Sequence, residues 1–305
     1  MSEVKDGKLI IDAAHNRIYY KLFGSGSETL VGLHGGPGQG HEYLIGLGDI
    51  AGDHLQVLLY DQLGSGKSDP GDETSWRVDR FVEELEAVRK GLNFGRIHLY
   101  GHSWGGMLAM QYALDFKDNV QSLIISNSST GMAEIMAAIQ KIQSDLSIDA
   151  YKTIMRAQSG KVIDEQSLDD ALVEFRSRFL RRATPFTPER TKKEYREMFP
   201  STRESYGPSF EGLWGPDPCK CMPCTGPLLD WDISERLEEI NVPTLILCGW
   251  YDEIPPELHF KLAAKIPNNE FVIFGNSSHF IMLEKEAATY YAVIKNFISR
   301  IIRER

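Results

Sequence analysis

Gly101-His102-Ser103-Trp104-Gly105 joins a short apolar run, Ile97 to Tyr100, to a small-residue stretch that begins Gly106-Met107-Leu108-Ala109. A serine set between glycines at a strand-to-helix junction reads as a G-x-S-x-G elbow, whose tight turn holds the hydroxyl clear of the sheet. Ser103 is therefore the candidate nucleophile. A serine hydroxyl attacks poorly unless a base takes its proton and a third group orients that base. Both partners are expected downstream, each in a loop after a later strand. Gly249-Trp250-Tyr251-Asp252-Glu253 follows the apolar run Thr244 to Cys248, and Gly275-Asn276-Ser277-Ser278-His279 follows Phe271 to Phe274. Asp252 is thus the candidate acid and His279 the candidate base. Of eight histidines, only His259 and His279 lie beyond Asp252, and His259 falls in the helix-like run Pro256 to Ala264, where it reads as surface decoration. Asp230 and Asp232 are rival acids, but they precede the strand and suit a chain reversal and a helix N-cap.

Acyl transfer also needs donors already aimed at the oxygen on which charge develops. The backbone N–H of Trp104, next to the nucleophile, is one candidate. A glycine-rich loop after an earlier strand offers the other: His34-Gly35-Gly36-Pro37-Gly38 follows Leu30 to Leu33, with Gly36 the first choice and Gly35 the second. A second glycine-rich run, Asp61-Gln62-Leu63-Gly64-Ser65-Gly66-Lys67-Ser68, ends like a phosphate loop but lacks that motif's leading glycine, so nucleotide binding is not expected. Glu253, directly after the candidate acid, would attract an ammonium group and so select free amino termini by charge.

The elements that must carry these residues alternate between strand and helix. Leu9 to Ile11 and Arg17 to Leu22 flank a polar turn and predict an opening hairpin. Buried-type strands are predicted at Leu30–Leu33, Val57–Tyr60, Ile97–Tyr100, Ser122–Ser126, Thr244–Cys248 and Phe271–Phe274, with helices around Glu83–Leu92, Trp104–Phe116 and Glu284–Ile302. That order predicts an α/β fold whose mostly parallel sheet is covered on both faces. Between Thr130 and Asp230 the alternation stops. Helical patterns at Met132–Leu146, Leu168–Arg182 and Pro188–Met198 precede a Gly/Pro-rich stretch, Tyr206 to Pro227. The expected organisation is a core of residues 1–129 and 231–305 with a mainly helical cap, 130–230, inserted into it.

With 33 Lys+Arg against 43 Asp+Glu in 305 residues, the net charge of −10 disfavours nucleic acid or an anionic membrane as partner. The start of the chain lacks a signal-peptide pattern, and no run reaches the ~18 apolar residues that span a bilayer, so a cytoplasmic protein is expected. Cys248 lies in a strand and reads as a buried thiol. Cys219, Cys221 and Cys224 crowd one loop without a histidine nearby, and read as free or occasionally oxidised thiols rather than a zinc site.

The stretches His34–Gly38, Asp61–Ser68 and Gly101–Gly106, with Asp230-Trp231-Asp232-Ile233, Gly249–Glu253 and Ser278-His279, resemble the prolyl aminopeptidase (proline iminopeptidase) family of α/β-hydrolases, which includes the archaeal tricorn-interacting aminopeptidase. The resemblance covers residues 8 to 130 and 228 to 303 and is weak in the cap. It implies an α/β-hydrolase fold and a cofactor-free serine peptidase that removes an N-terminal residue, often proline, from small peptides or amino-acid amides. It also implies that acidic residues hold the substrate's amino group, one at Glu253 and one in a cap motif of the form G-P-x-E. The cap here reads Gly215-Pro216-Asp217-Pro218, so the glutamate is missing and Asp217 is a shorter substitute. Trp214 and Trp231 flank the cysteine loop and are candidates to line the substrate pocket. An amino-acid amidase, or a carboxylesterase or lactonase with the same triad, stays open as the alternative. A non-catalytic ligand-binding relative would lack a triad member.

Overall fold

Val4–Ile10 (β1) and Arg17–Phe23 (β2) pair antiparallel around the polar turn, from Ile10 opposite Arg17 out to Val4 opposite Phe23. The strand starts earlier than predicted because it is an edge: its residues are mostly exposed, so pairing leaves no alternating apolar signature. Glu28–Leu33 (β3), Leu55–Tyr60 (β4), Ile97–His102 (β5), Val120–Ser126 (β6), Thr244–Gly249 (β7) and Asn269–Phe274 (β8) complete one eight-stranded sheet of order β1-β2-β4-β3-β5-β6-β7-β8. β2 meets β4 antiparallel, and every later pairing is parallel. The computed structural model describes residues 4–182, 206–217 and 223–304.

Among the described residues, the helices are Val78–Gly91 (α1), Trp104–Asp115 (α2), Met132–Gln143 (α3), Ile148–Gln158 (α4), Glu165–Phe179 (α5), Pro208–Trp214 (α6), Pro256–Lys265 (α7) and Ala287–Arg303 (α8). The central strands are apolar on both sides, and period-2 alternation divides them between two cores. In β6, Leu123 and Ile125 pack with α1, α2 and α7, while Ile124 faces the opposite layer of α8 and the 3₁₀ segment Glu42–Ile50. Among the described residues, four helices, α3 to α6, lie between β6 and β7. Leu146, Ala150, Ile154, Ala171, Phe175 and Phe179 give α4 and α5 a small core of their own.

Capping explains where helices depart from the predicted bounds. Asp164 accepts from the N–H groups of Gln166 and Ser167, which starts α5 ahead of its apolar pattern at Leu168. Ser147 accepts from the N–H of Ala150 and begins α4, a helix the periodicity does not predict. Helix α8 starts at Ala287 rather than Glu284 because the Glu284 and Glu286 carboxylates turn back to accept from the N–H groups of Ser278 and Asn276. The helix predicted at Pro188–Met198 lies outside the described residues. Among the described residues no helix is long and apolar enough to cross a membrane.

Candidate active site

β5 ends at His102 and α2 begins at Trp104, so Ser103 makes the turn at φ 55° and ψ −123°. A side-chain-bearing residue in this region is strained and persists only where its surroundings over-determine it. Here the Ser103 N–H donates to the Ser126 carbonyl at 2.9 Å, and the Ser103 carbonyl accepts from the Gly106 N–H and the Ser128 hydroxyl, each at 2.8 Å. Close approach dictates the flanking glycines. A Cβ on Gly101 would lie 2.1 Å from the Gly105 carbonyl oxygen, and one on Gly105 would lie 2.3 Å from that of Leu33.

Asp252 and His279 sit in the loops after β7 and β8, and His279 Nδ1 donates to Asp252 Oδ1 at 2.7 Å. The same oxygen accepts from the Ile254 N–H at 2.9 Å, and Oδ2 accepts from Asn127 Nδ2 at 2.6 Å. Both groups are almost fully buried. Burial pulls the His279 proton affinity down, but the adjacent Asp252 and Glu253 carboxylates outweigh it and hold the imidazole above its ordinary value. Glu253 Oε1 lies 3.8 Å from His279 Nε2, the nitrogen left free by Asp252. Burial raises the Glu253 carboxyl above its ordinary value against the opposing pull of His279 and Arg176.

Asn127 is absent from the sequence reading because no motif marks it. It follows β6 at φ 52°, and its Oδ1 accepts from Ser126 Oγ at 2.7 Å. Ser126 Oγ in turn accepts from the Tyr290 hydroxyl at 2.8 Å, which leaves Tyr100 as the donor in the 2.6 Å contact between the two tyrosines. A directed chain therefore runs from β5 through α8 to Asp252, and each link is buried. Asn127→Ala would leave Oδ2 of Asp252 unmatched in the interior. It is expected to lower kcat about tenfold and stability by about 1–3 kcal/mol, checked by steady-state kinetics and denaturant unfolding.

A second chain ties the elbow to the loop after β3. The Gly35 N–H donates to the Tyr43 hydroxyl at 2.6 Å, and that hydroxyl contacts His102 Nδ1 at 2.9 Å. His102 Nε2 lies 2.9 Å from the His279 carbonyl, which only accepts, so the proton sits on Nε2 and Nδ1 accepts from Tyr43. The Gly35 N–H is thus committed to Tyr43, whereas Gly36 lines the cavity beside Ser103. Trp104 opens α2, so its N–H has no acceptor within the helix. Its indole N–H donates to Gln62 Oε1 at 2.7 Å, and Gln62 Nε2 donates to the His34 carbonyl at 3.0 Å. Asp61 accepts from the N–H groups of His41 and Lys67. The second glycine-rich run is therefore a brace for the first loop and the elbow.

A cavity of about 1260 Å³ brings Ser103, Gly36, Trp104 and Glu253 together beneath α3, α5 and α6. Trp214 and Asp217 line it, both half-buried, as does Glu211 of α6. Glu211 escapes the sequence reading because Tyr206 to Pro227 shows glycines and prolines rather than a helical period. Arg176 of α5 is the single Lys or Arg among the described lining residues. Trp231 is placed elsewhere: it is 8% exposed, packs in the core, and its indole N–H donates to Gln111 at 3.1 Å, so it does not line the cavity. His259 is helical as predicted but fully buried rather than a surface group, and its Nε2 accepts from the Ser128 N–H at 3.1 Å. Asp232 caps its own turn by accepting from the Ser234 N–H at 2.7 Å. Cys219 and Cys221 lie outside the described residues, while Cys224 is a buried free thiol that burial raises to about 11.

Residues 28–286 match the family defined by the α/β hydrolase fold. A proline iminopeptidase of Saccharolobus solfataricus is 38% identical over 291 residues, covering 93% of this chain and 89% of its own. One from Heyndrickxia coagulans is 36% identical, covering 95% of this chain and 98% of its own. The crystal structure of the Mycobacterium smegmatis proline iminopeptidase superposes with a TM-score of 0.82 at 26% identity, covering 97% of this chain and 98% of that one. The chain belongs to the α/β-hydrolase fold family and, within it, to the proline iminopeptidases.

Proposed function

We propose that this protein is a serine aminopeptidase that releases an N-terminal residue, proline among them, from small peptides or amino-acid amides. The observation that carries this reading is the 2.7 Å His279–Asp252 bond, with His279 Nε2 turned toward a glutamate that lines the same cavity as Ser103. Ser103 Oγ attacks the carbonyl of the first residue as its proton passes to His279 Nε2. Asp252 holds the imidazole in the tautomer that can accept that proton and stabilises the imidazolium. The Gly36 and Trp104 N–H groups receive the oxyanion. His279 then protonates the departing amine, and water, activated by the same base, cleaves the acyl-enzyme.

Selection for a free amino terminus follows from charge. Glu253, Asp217 and Glu211 share the cavity lining with Arg176, an excess of acidic groups among the described lining residues that favours an ammonium ion. The cavity exceeds the ~300–1,000 Å³ of a typical small-ligand site, which leaves room for residues beyond the first. The inserted helices act in this reading as a cap over the site.

The test compares proline, alanine and phenylalanine anilides, free and N-acetylated. Acetylation removes a charge-assisted hydrogen bond worth about 1.5–3 kcal/mol, so kcat/KM is expected to fall about 10- to 100-fold. Equal cleavage of both forms would overturn the aminopeptidase reading and leave a hydrolase of another acyl group. A panel of p-nitrophenyl esters then separates an esterase, for which an α-amino group brings little gain.

A further inference from the structure

Glu253 and His279 are held to one another by the backbone as well as by their charges. The N–H groups of both residues donate to the same acceptor, the Phe179 carbonyl at the end of α5, each at 3.2 Å. The two loops that carry them are therefore pinned to a single point. Their side chains meet with Glu253 Oε1 3.8 Å from His279 Nε2, the nitrogen that must take the serine proton, and the two side chains are 19% and 3% exposed.

We propose that Glu253 couples recognition of the substrate's amino group to the readiness of the base: an ammonium seated on Glu253 cancels the carboxylate charge beside His279 Nε2, and the imidazole releases the proton that this charge helps it to keep. The coupling rests on the aminopeptidase reading for the seat of the amine. A proton on His279 and an ammonium on Glu253 compete for one negative charge, so each weakens the other, and linkage makes the effect reciprocal. The empty site holds its base in check, and the correct substrate readies it.

The remaining groups around His279 do not supply the same switch. Asp252 is committed to Nδ1, Ile254 and Asn127. Glu284 accepts from the backbone and hydroxyl of Ser278 and from the Arg182 N–H, which orients it away from any substrate. His102, whose ring centroid is 4.7 Å from that of His279, is kept neutral by burial, and burial likewise lowers His259. Arg176, which lines the same cavity, tempers the charge on Glu253.

The experiment follows the acidic limb of activity, where the base becomes protonated. For kcat/KM this limb reports the free enzyme, and for kcat the substrate complex. With proline anilide the kcat limb is expected about one pH unit below the kcat/KM limb, the size ordinarily produced by one charge at this range. Inactivation of Ser103 by a fluorophosphonate, which carries no amine, reads the free-enzyme limb independently. Glu253→Gln is expected to move that limb down by about one unit, and Glu253→Asp to retain most of the wild-type position. An inactivation limb that is the same in wild type and Glu253→Gln would overturn the proposal, as would coincident kcat and kcat/KM limbs in the wild type. Equal cleavage of acetylated and free anilides, with the Glu253→Gln limb still displaced, would instead fault the aminopeptidase reading and remove the amine from the coupling.

Discussion

Ser103→Ala is expected to lower kcat by about 10⁶-fold, because removal of the nucleophile silences the base and acid that serve it. The fold should survive. The Ser103 backbone is held by its own amide and carbonyl bonds to Ser126, Gly106 and Ser128, and alanine carries no more bulk into the turn. Alanine also shares the strain that serine bears at φ 55°, so the midpoint of denaturant unfolding should move little. Kinetics on proline anilide and labelling by a fluorophosphonate probe check the prediction together. A residual rate within about 100-fold of wild type would place the nucleophile elsewhere.

Asp252→Asn is expected to lower kcat by about 10⁴-fold, the cost of presenting the imidazole in the wrong tautomer. The particular geometry makes the loss hard to evade. Three donors converge on the carboxylate, two on Oδ1 and one on Oδ2. An asparagine amide would set its NH₂ against either the pair from His279 and Ile254 or the Asn127 side chain. Whichever way it turns, one donor meets another. The sign of the pH effect also follows: Asp252 is a main cause of the raised proton affinity of His279, so its loss should carry the acidic limb to lower pH. A pH profile of residual kcat tests this. A limb that stays in place would separate the imidazole's charge state from Asp252.

The parts of the site that were legible in the sequence are those held by backbone geometry at one place in the chain. The elbow needs glycines where a Cβ would strike a carbonyl at little more than 2 Å, so its composition is restricted wherever it occurs. The loops after β7 and β8 follow apolar runs short enough to recognise as strands, and the acid and base stand at their ends. Trp231 misleads because an indole beside a loop looks the same whether its N–H finds solvent, substrate or, as here, Gln111. His259 misleads in the opposite direction: a helical histidine reads as a surface group until Ser128, 131 positions earlier, is seen to donate to it. Helix α6 hides Glu211 because glycine and proline mask seven residues of helix that the glycine loops anchor, with the Gly207 N–H donating to the Gly38 carbonyl at 2.8 Å.

By itself the sequence determined the alternation of strand and helix, the order of nucleophile, acid and base, and the glycines on which the elbow depends, since each is a local requirement of backbone sterics or hydrophobic periodicity. Only the tertiary structure decided that Asn127 holds Asp252 across 125 positions, that Tyr43 claims the Gly35 N–H, and that Glu253 stands against the free nitrogen of His279. Hydrogen bonds and charge pairs of this kind depend on distances of a few ångströms between loops that are remote in the chain. Those distances exist once the sheet has brought the strand ends side by side.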